Sequence, residues 1–108
     1  MSNHYELFET NVGILVMFKD ELIALHEYVR LFDVIDENPH FLTDLKGFIV
    51  DGFGAHADSA VENFKTPAHM ATLDGVQVYV NAMRIYSILA NQEYPRYRHA
   101  RQEAMKLD

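Results

Sequence analysis

Residues 5–32 read YELFETNVGILVMFKDELIALHEYVRLF, and the recurrence of their apolar side chains decides the fold class. Large apolar residues stand at Tyr5, Phe8, Val12, Leu15, Phe18, Leu22, Leu25, Val29 and Phe32, in steps of three and four. That is the period of one helix face, and the part from Leu15 to Phe32 keeps a 3-4 heptad. Asn3 and Glu6 have the spacing of a capping box. Lys19, Asp20, Glu27 and Arg30 fall off the stripe, as a solvated face should. The spacing therefore predicts a long first helix from about His4. Gly13 weakens it by up to about 1 kcal/mol relative to Ala, so a break near Asn11–Gly13 is compatible with the pattern.

Outward from this stretch, Asp36-Glu37-Asn38-Pro39 punctuates the chain. Asn38 suits an N-cap and Pro39 the first helical position, where a missing N–H costs nothing. A second helix is expected from Pro39, with Leu42, Leu45, Ile49, Phe53, Ala57, Ala60 and Phe64 as its stripe. Gly47, Gly52 and Gly54 fit a break near Asp51–Gly54, or a place where another helix packs closely; the break is the preferred expectation. Thr66-Pro67 repeats the cap-then-proline signal and predicts a short turn to Thr72. Asp74 and Gln77 offer a cap for a helix over Val76–Asn91. Val76–Val80 also alternates like a strand, but only residues 47–50 could pair with it, and a lone two-stranded sheet is marginal. Pro95 opens a last helix, with Tyr97, Ala100, Ala104 and Leu107 inward.

The expectation is a single all-α domain over residues 1–108: a small helical bundle of about four main helices, with a long N-terminal helical hairpin turning at Asn38–Pro39. A helix of about 30 residues is about 45 Å long, so it is either broken or covered by a second subunit. A homodimer is the expected answer, because two-fold dimers are the commonest oligomers.

The chain has 108 residues and no cysteine, which excludes a disulfide scaffold, a thiolate metal site and a cysteine nucleophile. The uncharged run Thr10–Phe18 is too short for a bilayer, which needs about 20 apolar residues. Glu6 and Glu9 precede it, not the basic start of a signal peptide. A soluble, cytoplasmic protein without a membrane partner is expected. The net charge of −7 is unevenly placed. Residues 1–62 carry twelve acids and three bases, while residues 63–108 carry four acids and six bases. An acidic first part and a mildly basic end are the informative feature.

No catalytic motif emerges. The six histidines (His4, His26, His40, His56, His69, His99) include no pair three or four apart, so no helical metal pair exists and neither metal nor cofactor is expected. Gly47 and Gly52 have the first spacing of a phosphate loop, but Phe53 and Gly54 replace its Lys and Ser/Thr. Ser59 lies beside Asp58 and near His56, yet neighbours on a helix point apart and cannot form a triad. Glu37, Asp44, Asp51 and Asp58 are spaced by seven. On one continuous helix they would form a row about 10 Å apart, able to meet a basic protein surface or to stand in for phosphates of a nucleic acid. Arg96, Arg98 and Arg101, interleaved with Tyr94 and Tyr97, form a candidate basic patch. Its expected role is pairing with the acidic part, within the chain or across a dimer. Nucleic-acid binding by that helix is disfavoured, since the rest of the protein would repel a polyanion.

The leading functional expectation is a non-catalytic acidic interaction protein, a regulator or inhibitor docking on a larger basic protein through Glu37, Asp44, Asp51 and Asp58. The alternative is a metal- or small-ligand-binding bundle or enzyme using His26, His56 or His69. Nucleic-acid binding through Arg96, Arg98 and Arg101 is third.

Overall fold

The computed structural model describes residues 4–11, 13–63 and 69–106, of which 59–63 and 69–74 are described by backbone alone. The chain opens with a sheet, not a helix. Strands β1 (Tyr5–Thr10), β2 (Gly13–Phe18) and β3 (Glu21–Ala24) form an antiparallel meander in the order β1-β2-β3. A 3₁₀ turn (Tyr28–Leu31) leads into the short helix α1 (Phe32–Glu37), followed by α2 (Phe41–Asn63) and α3 (His69–Ile88). A π turn at Leu89–Glu93 joins α3 to α4 (Tyr94–Lys106).

The all-α expectation and its N-terminal helical hairpin are thus overturned, and the reason is local. Ile14-Leu15-Val16-Met17-Phe18 is apolar at every position, so it satisfies a helical period and a strand period alike. Turn chemistry decides between them. Lys19 and Asp20 both have positive φ (51° and 65°) and form a two-residue hairpin loop between Phe18 and Glu21, which pair across it. They are the turn itself, not the solvated side of a helix. Thr10 pairs with Gly13 at the other hairpin, where Gly13 has φ 146° and Thr10 Oγ1 donates to the Gly13 carbonyl at 2.7 Å. The break suspected near Asn11–Gly13 is a full reversal of the chain. The residues of the supposed stripe do not share a face: Leu22 and Val29 are 52% and 65% exposed.

Alternation now assigns the two sides of the sheet. Ile14, Val16, Phe18 and Ile23 are buried, with Tyr5 on the same side opposite Phe18. The other side carries Phe8, Leu15, Met17, Leu22 and Ala24. Phe41, Leu45 and Ile49 of α2 are wholly buried, as are Leu31 and Val34, and each such burial contributes about 1.5–3 kcal/mol. Tyr5 and Phe41 meet edge to face, with ring centres 5.0 Å apart. The Tyr5 hydroxyl donates to Asp44, so β1 is fastened to the first turn of α2.

Asn38 and Pro39 mark the start of the second helix as expected, although the regular helix begins at Phe41. Asn38 is buried, and its carbonyl accepts from the Phe41 N–H at 2.9 Å. The break expected at Asp51–Gly54 is absent, and α2 runs through it. The close-packing alternative holds instead. A β-carbon on Gly52 would lie 2.2 Å from the ring of Tyr79, and one on Gly75 would lie 2.5 Å from the His56 ring. The two glycines therefore let α2 and α3 approach where each receives an aromatic ring.

Residues 76–80 are helical, as expected. The start expected near Asp74 is corrected, since α3 already runs from His69. The last helix follows α3 through the π turn, where the Tyr94 N–H reaches five residues back to Leu89. Pro95 explains this, because a proline ring collides with the carbonyl four residues earlier. In α4, Tyr97 is half-buried but Ala100 and Ala104 are exposed, so the expected inward face is not formed. Asn3, Thr66-Pro67, Phe64 and Leu107, named in the sequence reading, lie outside the described residues.

Gly52→Ala is expected to destabilise the protein by about 1–3 kcal/mol, because the new methyl would collide with the Tyr79 ring and displace it from its contact with α2. Gly47→Ala, with nothing within 4 Å of the new methyl, should stabilise by up to about 1 kcal/mol. Urea unfolding of the two variants checks both signs.

Candidate functional site

Two side-chain clusters that join distant elements and two surfaces are the candidates among the described residues; a further cluster, Arg30 with Glu21 and Glu27, is exposed and local to β3 and the turn after it. In the first cluster Glu9, at the end of β1, receives the Tyr79 hydroxyl at 2.6 Å and lies 3.2 Å from His56 Nε2. One strand and two helices meet there. The Tyr79 hydrogen bond, and to a lesser degree His56, hold the Glu9 carboxyl below its ordinary range against a smaller opposing effect of burial. Tyr79 itself is pushed up, by burial first and then by Glu9.

In the second cluster Asp36 of α1 accepts from Tyr94 at 2.6 Å, Tyr97 at 3.1 Å and Arg101 at 2.7 Å. Phe32 stacks on Tyr97, with ring centres 4.4 Å apart. Burial works against the Asp36 charge, but the three hydrogen bonds and Arg101 together hold its carboxyl low. Burial, then Asp36, pushes the Tyr94 phenol up to about 12. The π turn before Pro95 shifts the phase of the helix, so the side of α4 bearing Tyr94, Tyr97 and Arg101 reaches α1.

Both clusters gather a tyrosine hydroxyl and a nitrogen-bearing side chain, His56 or Arg101, on one carboxylate, and both join elements distant in the sequence. Neither presents an unengaged nucleophile or base. Among the described residues, no group of three or more His, Asp or Glu side chains could hold a metal ion. His56 is engaged with Glu9, His26 is exposed, and the side chain of His69 lies outside the described set.

The acidic row is rearranged by the fold. Glu37 does not share a helix with the others; it lies on α1 and pairs with Lys19 at 2.8 Å. Asp44 accepts from Tyr5. Asp51 and Asp58 remain on one face of the unbroken α2, exposed and with no hydrogen bond or ion pair among the described residues. Seven residues separate them, about 10 Å along the axis.

The basic patch is also divided. Arg101 is held by Asp36 and Tyr97, and Arg96 lies 3.6 Å from Glu93. Arg98 packs near the Tyr94 ring, 6.0 Å from its centre. The acidic and basic parts thus meet at the contact of Arg101 with Asp36, while Asp51 and Asp58 keep their charge outside.

The second surface is an apolar recess of about 430 Å³ between α2 and α3, lined by Phe53, Tyr79, Val80, Met83, Arg84 and Ser87. Phe53 is 40% exposed and the adjacent Val50 48%. Sequence reading placed Phe53 in the core stripe and missed this recess, because a three-four pattern does not say which flank of a helix is covered. Among the described residues, no helix is long and apolar enough to cross a membrane. No family model, curated protein or solved structure matches the chain.

The depressed Glu9 value sets a pH dependence. The unfolded state binds the proton more tightly, so this stabilisation is complete above the ordinary glutamate value of about 4.3 and is lost as the pH falls through the lower folded value. Glu9→Gln should flatten the acid limb of a stability–pH curve measured by denaturant unfolding, and His56→Ala should flatten it less.

Proposed function

We propose that the protein is a non-catalytic interaction protein, a homodimer that docks through the acidic face of α2 on a basic surface of a larger protein. The observation that carries this reading is the pair Asp51 and Asp58, exposed on one unbroken helix and without a hydrogen bond or ion pair among the described residues, while Glu9, Asp36, Glu37 and Asp44 are engaged within the chain. Charges that fold stability does not use are available to a partner, and such charges act mainly on encounter rate and orientation. Asp44 borders the same face. Glu37, tied to Lys19, drops out of the docking set.

The Arg101 engagement with Asp36 favours this reading over nucleic-acid binding by α4, since it removes one of three arginines from that role. The engaged state of His56 favours it over a histidine-based enzyme or metal binder. A reducing, cytoplasmic setting accords with a chain without cysteine.

Exposed charge pairs contribute about 0–1 kcal/mol each, so Asp51→Asn/Asp58→Asn should weaken partner binding by up to roughly thirtyfold. The test is a quantitative pull-down from the host with wild-type and doubly substituted protein at low and high salt. A partner lost with both salt and substitution supports the reading. Equal capture by both proteins would contradict it.

A further inference from the structure

The recess between α2 and α3 has a charged end, and the charge is positive in a chain whose net charge is −7. Gly52 meets Tyr79 and Gly75 meets His56, so the two helices run antiparallel in one register. Arg84, further along α3 than Tyr79, therefore lies level with Gly47 and beside Lys46. Lys46 precedes Val50 by one turn and Phe53 by two, so it stands on their side of α2. Both cations are exposed, and neither has an ionic partner among the described residues. Packed helices lie about 8–10 Å apart, within the combined reach of a lysine and an arginine side chain.

We infer that the recess binds a free amphiphilic anion, a monocarboxylate with a linear apolar chain. The chain lies along Phe53, Val80 and Met83, and the carboxylate sits between Lys46 and Arg84. Neither Asp51 nor Asp58 takes part, so this site stands apart from the docking face above.

The shape and the chemistry of the walls fit that ligand. The volume of about 430 Å³ is in the range of small-ligand sites, which run from about 300 to 1,000 Å³. Phe53, Tyr79, Val80 and Met83 make an apolar wall, and no Asp or Glu lines it. From Phe53 to Lys46 the recess extends about 10 Å along α2. At the charged end Ser87 accepts from Asn91 at 3.2 Å, which leaves its own O–H to donate to a carboxylate. Two cations at one level across a groove repel each other, and an anion between them replaces that repulsion by two attractions.

The charge pattern also selects among occupants. Asp51 and Asp58 stand exposed along the neighbouring edge of α2, so an anionic membrane or an acidic protein surface, which spreads its charge widely, is repelled. A second copy of the chain would set Lys46 and Arg84 against their own kind. A neutral apolar molecule would leave both cations unused. A molecule with one negative group and an apolar body meets the two cations and the apolar wall together.

The experiment is isothermal titration of the intact chain with decanoate, kept below the concentration at which it forms micelles, with circular dichroism to verify the fold of each variant. Saturable binding of one decanoate per chain is expected, and acetate, the same head without the chain, should not bind. Lys46→Gln/Arg84→Gln should weaken decanoate binding by about five- to thirtyfold. Phe53→Ser should weaken it by about tenfold. Asp51→Asn/Asp58→Asn should leave it intact, which separates this site from the docking face. Absence of saturable decanoate binding would overturn the inference. So would binding that Lys46→Gln/Arg84→Gln and Phe53→Ser do not change, or capture of the chain by anionic phosphatidylglycerol vesicles in place of free decanoate.

Discussion

The ring of Tyr79 fills the space that Gly52 leaves open, and its hydroxyl donates to Glu9 at 2.6 Å. That single residue, 2% exposed, ties β1, α2 and α3 together. The glycine sets the distance between the helices, and the carboxylate sets their position on the sheet. Gly75 repeats the device one turn away, where it admits the His56 ring, and His56 returns to the same Glu9. Because the two contacts share one carboxylate, a change at Glu9 loosens both helices at once. Asp36 plays a similar part at the other end, where Tyr94, Tyr97 and Arg101 close α4 against α1.

These fastenings use four of the carboxylates that could have served as chemistry. Glu9, Asp36, Glu37 and Asp44 each accept from a tyrosine, an arginine or a lysine. Outside these fastenings stand Asp51 and Asp58 on the edge of α2, Arg84 on α3, other exposed charges such as Glu6, Asp20, Asp33 and Lys46, and the apolar recess between the helices. The opening contrast of an acidic first part and a basic end therefore resolves into engaged charges that hold the fold and a few unengaged ones that are free to meet another molecule.

The three long helices were legible in the sequence because their signals are local. Asn38-Pro39 marks the entry to α2 within two residues, and the apolar spacing of residues 76–89 outweighs the valines that favour a strand. The sheet was not legible for an equally local reason. Ile14–Phe18 is apolar on both sides, and the hairpin at Lys19-Asp20 carries no glycine or asparagine to announce positive φ. The site was the least legible. Glu9, His56 and Tyr79 are 47 and 70 residues apart, and no spacing rule connects them. The awkward glycines were the available signal. Gly52 is costly in a helix unless something occupies its missing side chain, and Tyr79 does.

The central claim is that Tyr79 and Glu9 act as one fastening between sheet and helices. A double-mutant cycle in urea unfolding, with Glu9→Gln, Tyr79→Phe and the pair, measures it most directly. Phe keeps the ring in the Gly52 space and removes only the hydroxyl. A hydrogen bond to a charged group contributes about 1.5–3 kcal/mol, and Glu9 is partly solvated, so a coupling of about 1 kcal/mol or more is expected. Strictly additive single effects would contradict the account.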